Sequence, residues 1–377
     1  MKQIELIATT TFGLESVVKR EVKDLGFRVK SVEDGKITFF SDLAGIAKAN
    51  LWLRSADRVL LKIGEFKAYT FDELFEQTKT LPWGDFIPVD GKFTVNGKSV
   101  KSKLFSISDC QAIVKKSVVE NLKKKYNVEW FEETGAEFTI QVSLLKDLAT
   151  LTIDTSGVGL HKRGYRQQNV EAPIKETLAA ALINLSFWNK DRVLYDVFCG
   201  SGTIPIEAAM IARNIAPGLL RDFASTHWEI MDGIWKSEIK KAKQAIDQDS
   251  EIKIYASDID PKAIESAQEN AFEAAVDDCI TFSVSDFKDI DYSEDYAVLI
   301  SNPPYGERLK DKEEVEQITR DMGKIFNKLD TWSKYIITSL DGFEYLYKKK
   351  ADRERKLFNG RIKVRYYQYY GPRPPRD

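Results

Sequence analysis

The chain has 377 residues, 43% of them hydrophobic and 30% charged, with 56 Lys and Arg against 58 Asp and Glu for a formal net charge of −2. This balance excludes a disordered chain and a uniformly basic nucleic-acid coat, though not local basic patches, because attraction between charges is screened over about 10 Å. The length predicts two or three domains with cores of their own.

In chain order, residues 3–8 read as a strand. Gly13 through Leu25 reads as a helix with Leu14, Val17, Val18, Val22 and Leu25 on one face, closed by Gly26. A strand over 36–40 completes a small α+β unit, taken as residues 1–66. From about Tyr69 the texture changes. Residues 71–80 read as a helix, 92–96 as a strand, 108–126 as a helix, and 138–144 and 148–154 as strands; this second domain is taken as 67–155. After Ser156-Gly157-Val158-Gly159 come helix 173–185, strand 193–198 and helix 204–213. Strands over 253–257, 280–284, 297–301 and 335–338 follow, with helical patterns between most of them. Strands alternating with helices imply an α/β fold with a largely parallel, doubly wound sheet over 156–377. Asn359-Gly360 joins 355–358 to 362–370 as a hairpin, so the sheet is expected to finish antiparallel.

The charge is unevenly spread. Residues 91–126 hold nine lysines, including Lys101, Lys103, Lys115 and Lys116, against Asp109 and Glu120, a local +7. Such a run is either a solvated helix face or a phosphate-tracking surface. Lys162, Arg163 and Arg166 form a second basic group, with His161 among them as a surface or RNA contact. Residues 348–376 carry eleven bases against Asp352 and Glu354, a local +9, interleaved with Tyr366, Tyr367, Tyr369 and Tyr370, which either pack as strand residues or face RNA. Residues 247–316 are acidic, 20 acids against six bases.

The most specific stretch is Asp196-Val197-Phe198-Cys199-Gly200-Ser201-Gly202-Thr203, after a strand and opening a helix. Glycines there let backbone N–H groups approach a ligand. A dinucleotide site is disfavoured. Pro205 stands where the third glycine would fall, and the next strand-end acid, Asp258, lies 56 positions after Gly202 rather than about 20. Three further features follow at successive strand ends, where ligands bind in open α/β folds. Asp258, in Ser257-Asp258-Ile259-Asp260, can accept from both hydroxyls of a ribose. Asp286, in Ser285-Asp286-Phe287, can take the exocyclic amine of adenine. Asn302-Pro303-Pro304-Tyr305-Gly306 ends the fourth.

This ordered set resembles the class I S-adenosylmethionine-dependent methyltransferases, and Asn302-Pro303-Pro304-Tyr305 resembles the motif of those that methylate exocyclic amino groups. With residues 160–166, the Ala172-Pro173-Ile174-Lys175-Glu176-Thr177-Leu178 run and the Gly200–Ala209 segment, the chain resembles the bacterial THUMP-domain RNA methyltransferases, nearest the 23S ribosomal RNA guanine-N2 enzymes. The resemblance implies a Rossmann-like catalytic domain with a mostly parallel seven-stranded sheet, preceded by ferredoxin-like and THUMP domains. It implies cofactor contacts from Pro173, Thr177, Asp196, Phe198, Cys199, Gly200, Gly202, Thr203, Asp258, Ile259, Asp286, Phe287 and Asn302. Asn302, Pro303 and Tyr305 are the expected catalytic residues: the Asn302 side-chain oxygen and the Pro303 carbonyl accept the amine hydrogens, and Tyr305 stacks on the base. Lys101, Lys103, Lys115, Lys116, Lys162, Arg163, Arg166 and Arg308 are the expected RNA contacts. The expected partner is 23S ribosomal RNA in an assembly intermediate. Adenine-N6 methylation of DNA or RNA, glutamine methylation in a protein, and an inactive RNA-binding assembly factor are the competing readings.

No metal is expected, since a sulfonium methyl is already electrophilic, and no Cys or His pair has zinc spacing. Three scattered cysteines, a short apolar start and no apolar run near 18 residues point to a reducing compartment, no signal peptide and no membrane helix, hence the cytoplasm. Cys199 lies in the glycine turn rather than beside Asn302, which argues against a nucleophilic role.

Overall fold

The computed structural model describes residues 3–166, 174–305 and 309–375. They form two compact units. The first comprises Met1–Thr9, Lys19–Leu160 and Asp222–Lys240; the second comprises Thr10–Val18, His161–Arg221 and Lys241–Asp377.

The first unit runs β1 (Ile4–Thr9), α1 (Glu15–Asp24), β2 (Arg28–Glu33), β3 (Lys36–Ser41), α2 (Leu43–Trp52), β4 (Arg58–Lys67), α3 (Phe71–Lys79), β5 (Lys92–Val100), α4 (Ile107–Tyr126), β6 (Glu137–Leu145) and β7 (Leu148–Asp154), α1 being shared between the units. Its strands make one sheet in the order β2-β3-β1-β4-β7-β6-β5, antiparallel except for β5 beside β6. The first four strands have the ferredoxin-like order. Strand β4 is shared: Leu61 faces Leu6 of β1 on one side and Ile153 of β7 on the other. Strand β6 follows its sequence pattern, with Phe138, Ile140, Val142 and Leu144 buried and their neighbours turned outward. Helix α3 starts where Thr70 caps the Glu73 N–H at 3.2 Å and Glu73 reaches back to the Tyr69 N–H at 2.6 Å. Helix α4 ends on Asn127 at φ 54, with Lys123, Lys124 and Lys125 in the last turn complementing the helix dipole.

The segment Asp222–Lys240 follows the glycine motif in sequence yet packs in the first unit. Trp228 stacks on Phe138 with ring centroids 4.8 Å apart, and Ser225 donates to the Thr155 carbonyl at 3.0 Å.

The second unit contains α5 (Glu176–Asn184), β8 (Leu194–Asp196), α6 (Thr203–Ala212), then, after α7 (Ile234–Gln244, begun in the first unit), β9 (Ile254–Asp258), α8 (Pro261–Glu273), β10 (Ile280–Val284), β11 (Val298–Ser301), α9 (Leu309–Phe326), β12 (Ser333–Thr338), α10 (Phe343–Tyr347), β13 (Arg353–Asn359) and β14 (Ile362–Tyr369). The sheet order is β10-β9-β8-β11-β12-β14-β13, the first five parallel and β14 antiparallel to both neighbours. Alternate residues feed two cores. Val298, Ile300, Tyr335 and Tyr366 join α5, α6 and α8, whereas Leu299, Ile336, Tyr367 and Tyr369 join α9 and α10. Tyr366, Tyr367 and Tyr369 are therefore packing residues, and only Tyr370 of the four is exposed. Strand order reverses across β8, so the carboxyl ends of β8 and β11 form the switch point at which ligands bind.

Candidate functional site

The switch point is stitched together by one buried hydroxyl. Ser301, at the end of β11, donates to Asp196 Oδ1 at 2.8 Å and accepts from the Val197 N–H at 3.0 Å. Asp196 ends β8 at 1% exposure, and its Oδ1 also takes the Phe198 N–H at 3.3 Å. Its Oδ2 has no hydrogen-bond partner among the described residues. Burial pushes this carboxyl up to about 7, and the nearby Asp258 charge adds to the shift. A buried, half-satisfied carboxylate fits a cationic ligand group such as the ammonium of an amino acid.

The loop beyond it is shaped for a ligand. Gly200 has φ +52 and open space where a Cβ would stand. Gly202 has φ +81, and a Cβ there would lie 3.0 Å from that of Ala267, so the loop and α8 meet without room for a side chain. Asn270 of α8 donates to the Ser201 carbonyl at 3.0 Å, a support with no motif to announce it. Asp258 ends β9; its Oδ2 accepts from the Gly200 N–H at 3.0 Å and its Oδ1 from the Asp260 N–H at 3.0 Å. Lone pairs remain on both oxygens for a diol. Asp286, after β10, accepts from the Lys288 N–H at 3.0 Å. Phe287 is buried against Phe198 with ring centroids 5.0 Å apart, and Ile259 is exposed beside Asp258.

Cys199 is buried, and that burial raises its thiol well above the ordinary value, with the Asp196 and Asp258 charges acting the same way. The thiol is a packing group rather than a nucleophile.

Asn302 follows β11 and is half-buried; its Oδ1 accepts from the Tyr305 hydroxyl at 2.6 Å. Tyr305 packs its ring on the core shared by α5, α6 and α8, and burial raises its phenol. Pro303 is buried. Thr177 is buried in the first turn of α5. Pro173 and Arg308 lie outside the described residues.

Two expected RNA contacts, Arg163 and Arg166, are corrected. Arg163 is 2% exposed, and its Nε and Nη2 donate to the two oxygens of Glu207 at 3.1 and 3.2 Å. Glu207 is itself fully buried and also takes the Tyr165 hydroxyl at 3.3 Å. A guanidinium held in this way cannot reach a phosphate. Arg166 is likewise engaged within the protein, donating to the Thr203 hydroxyl at 2.7 Å and standing 3.3 Å from Glu176. Lys162 remains exposed. Burial lowers His161 to about 4, with Lys175, Lys162, Arg163 and Arg221 adding to the effect, so it is neutral at neutral pH.

In the first unit, Lys101, Lys103, Lys115 and Lys116 are exposed with no ion-pair partner among the described residues. Lys92, Lys123 and Lys125 pair with Glu137, Glu129 and Asp85. The loop carrying Lys101 and Lys103 is pinned: Ser99 donates to the Leu104 carbonyl at 2.6 Å, and the Lys103 N–H donates to Asp147 at 2.7 Å. It presents Phe105 at 82% exposure, an aromatic that sequence reasoning passed over because an isolated Phe carries no periodicity.

Family models match three consecutive segments: an RlmL ferredoxin-like domain over 5–60, a THUMP domain over 68–154, and an RMKL-like methyltransferase domain over 163–368. The chain belongs to the RMKL-like methyltransferase family. It is 52% identical over 380 residues to YpsC of Bacillus subtilis, provisionally named an RNA methyltransferase, covering 100% of this chain and 98% of that protein. Among solved structures, a Listeria monocytogenes protein described as a predicted N6-adenine-specific DNA methylase has a TM-score of 0.95 at 52% identity, covering 99% of this chain and 97% of that one. SMU.472, provisionally called a methyltransferase and solved with SAH, has a TM-score of 0.94 at 43% identity, covering 100% of both chains. The family and that complex identify the cofactor as S-adenosylmethionine. The unpartnered Asp196 Oδ2, the open space over Gly200 and the free lone pairs of Asp258 fit its ammonium, its backbone and its ribose. Among the described residues, no helix is long and apolar enough to cross a membrane.

Proposed function

We propose that this RNA methyltransferase methylates the exocyclic N2 amine of a guanine in 23S ribosomal RNA, within a particle still being assembled in the cytoplasm. The observation that carries the reading is the placement of Asn302-Pro303-Pro304-Tyr305 at the switch point, joined through Ser301 to the buried Asp196. The THUMP domain and its unpaired lysines favour RNA over DNA.

S-adenosylmethionine supplies the electrophilic methyl. Asp196, Asp258 and Asp286 bind and orient it, with Thr177, Phe198, Gly200, Gly202 and Phe287 shaping the cleft. A purine amine is a poor nucleophile because its lone pair is delocalised into the ring. Asn302 Oδ1 and the Pro303 carbonyl each accept one of its hydrogens and so favour the pyramidal form. Proline fixes the backbone that aims its carbonyl. Tyr305 contributes its ring to the base pocket once the base, extruded from its stack, has entered. The proton leaves the cationic amine after transfer, so no general base with a shifted pKa is required. Alignment and preorganised acceptors supply most of the acceleration.

Lys101, Lys103, Lys115, Lys116 and Lys162 track phosphates. The deciding experiment is mass spectrometry of ribosomal RNA nucleosides from a strain lacking the protein. Loss of one N2-methylguanine from 23S RNA is the expected result. Loss of an N6-methyladenine instead would move the reaction to adenine, the base named for the Listeria relative.

A further inference from the structure

The segment 163–166 is clamped along one face of α6. Thr203 and Glu207 lie four positions apart in that helix and so share a face. Arg163 and Tyr165 hold Glu207, whereas Arg166 holds Thr203, its Nη2 donating to the Thr203 hydroxyl at 2.7 Å. The same Nη2 stands 3.3 Å from Oε1 of Glu176, the first residue of α5. Arg166 therefore ties together two helix starts: α6, which follows directly on Gly202, and α5, whose second residue is Thr177. We propose that Arg166 is a positioning residue for the cofactor, acting through Thr203 to turn that hydroxyl's proton toward the carboxylate of the methionine part. The proposal rests on the placing of S-adenosylmethionine against the glycine loop and is independent of which base is methylated.

The direction of the hydroxyl follows from counting hydrogens. A hydroxyl has one proton to give and two lone pairs to offer, and a guanidinium can only donate. The bond at 2.7 Å therefore turns a lone pair of Thr203 toward Arg166 and leaves its proton to point elsewhere. Thr203 is buried, and among the described residues no acceptor takes that proton. The amino-acid end of S-adenosylmethionine carries an ammonium, which suits Asp196, and a carboxylate, which needs donors. The Thr203 hydroxyl supplies one at the first residue of α6, beside backbone N–H groups that have no partner within the helix. Donation from Arg166 also polarises the hydroxyl and so strengthens the bond it gives. Glu176 fixes the guanidinium in turn: burial raises its carboxyl, and the Arg166 charge is the largest influence opposing that rise. Without Arg166 the hydroxyl is free to rotate, and a lone pair turned to the carboxylate would repel it.

The test is calorimetric titration of the full-length protein with S-adenosylmethionine and with its decarboxylated form, which keeps the nucleoside, the sulfonium and the ammonium. Arg166→Gln and Thr203→Val should each weaken binding of the intact cofactor about tenfold, the scale of one hydrogen bond to a charged group. Binding of the decarboxylated form should change by less than about twofold. Arg166→Lys keeps the charge and a donor, so it should retain more affinity for the intact cofactor than Arg166→Gln. The double variant Arg166→Gln with Thr203→Val should bind the intact cofactor about as well as Thr203→Val alone, because both cut the same path. Thr203→Val leaves Arg166 paired with Glu176, so it decides the matter even where Arg166→Gln fails to fold. Equal weakening of both ligands would reduce Arg166 to a brace of the fold and overturn the proposal, as would full affinity for the intact cofactor in both single variants. Unchanged binding of both ligands in Gly202→Ala would instead overturn the placing of the cofactor on the glycine loop.

Discussion

Arg163 offers a sharp test, because a surface RNA contact and a buried ion pair respond in opposite ways to its removal. Arg163→Met keeps the volume of the side chain and deletes the guanidinium. Glu207, fully buried, then loses both bonds at 3.1 and 3.2 Å and, among the described residues, keeps the Tyr165 hydroxyl at 3.3 Å. Breaking a buried pair by removing one partner costs about 3–5 kcal/mol, because a charge is left without compensation. An exposed pair such as Arg365 with Glu354 is worth only about 0–1 kcal/mol. With a urea m-value of roughly 2–3 kcal/mol/M, the midpoint should fall by about 1–2.5 M. The transition to follow is the one that S-adenosylmethionine shifts upward, since Arg163 and Glu207 both belong to the second unit. Adding Glu207→Leu should recover most of the loss, because an apolar pair of similar volume replaces the ion pair. RNA affinity and its salt dependence should be unchanged. A variant of wild-type stability with weakened RNA binding would refute the burial reasoning and return Arg163 to the RNA surface.

Four other predictions accompany it. Asn302→Ala should abolish methyl transfer and leave RNA affinity within about twofold, checked by filter binding beside the methylation assay. Removing Lys101, Lys103, Lys115 and Lys116 one at a time should lower the slope of log affinity against log salt by about one unit each; a slope that ignores all four would remove them from the phosphate path. Asp196 has a folded-state value raised by burial from 3.8 to about 7, so its contribution to the stability of the cofactor-free protein is lost as pH climbs through that window. Cofactor affinity should run the other way, weaker at pH 6 than at pH 8, and flatten in Asp196→Asn; a flat profile in the unsubstituted protein would show that Asp196 does not meet the ammonium. Gly202→Ala should weaken cofactor binding, because its φ of +81 and the 3.0 Å approach of Ala267 leave no place for a Cβ; calorimetry with an unchanged affinity would contradict that.

The elements legible in the sequence are those whose burial alternates or repeats locally. Strand β6 and the β13–β14 hairpin announce themselves through period-two burial and an Asn-Gly turn. Strand β2 does not, because it is an edge strand with only partial burial and its Val32 points to solvent. Helix α2 is hidden for the opposite reason. Gly45, Ile46, Ala47, Ala49, Asn50 and Leu51 are all buried, so no polar face marks a helical period. The segment Asp222–Lys240 is opaque in a third way. Nothing local says that Trp228 will stack on Phe138, 90 positions earlier in the chain.

The same division runs through the site. Asp196, Gly200, Gly202, Asp258 and Asn302 are legible because each sits at the end of a parallel strand, where the fold alone fixes the direction in which ligands lie. What each acid does there is set by partners the motif does not contain. Ser301 satisfies one oxygen of Asp196 and leaves the other buried without a partner among the described residues, whereas Asp258 accepts from the Gly200 N–H and keeps lone pairs open. Two carboxylates of one type thereby acquire different tasks: one is poised to change charge near neutral pH, and the other presents lone pairs to a diol. Basic residues divide in the same manner. Lys101 and Arg163 look alike as members of charged stretches, and only the position of Glu207 inside α6 separates a free cation from a structural one. A charge pattern read along the chain counts cations, but the burial of their partners decides which of them RNA can meet.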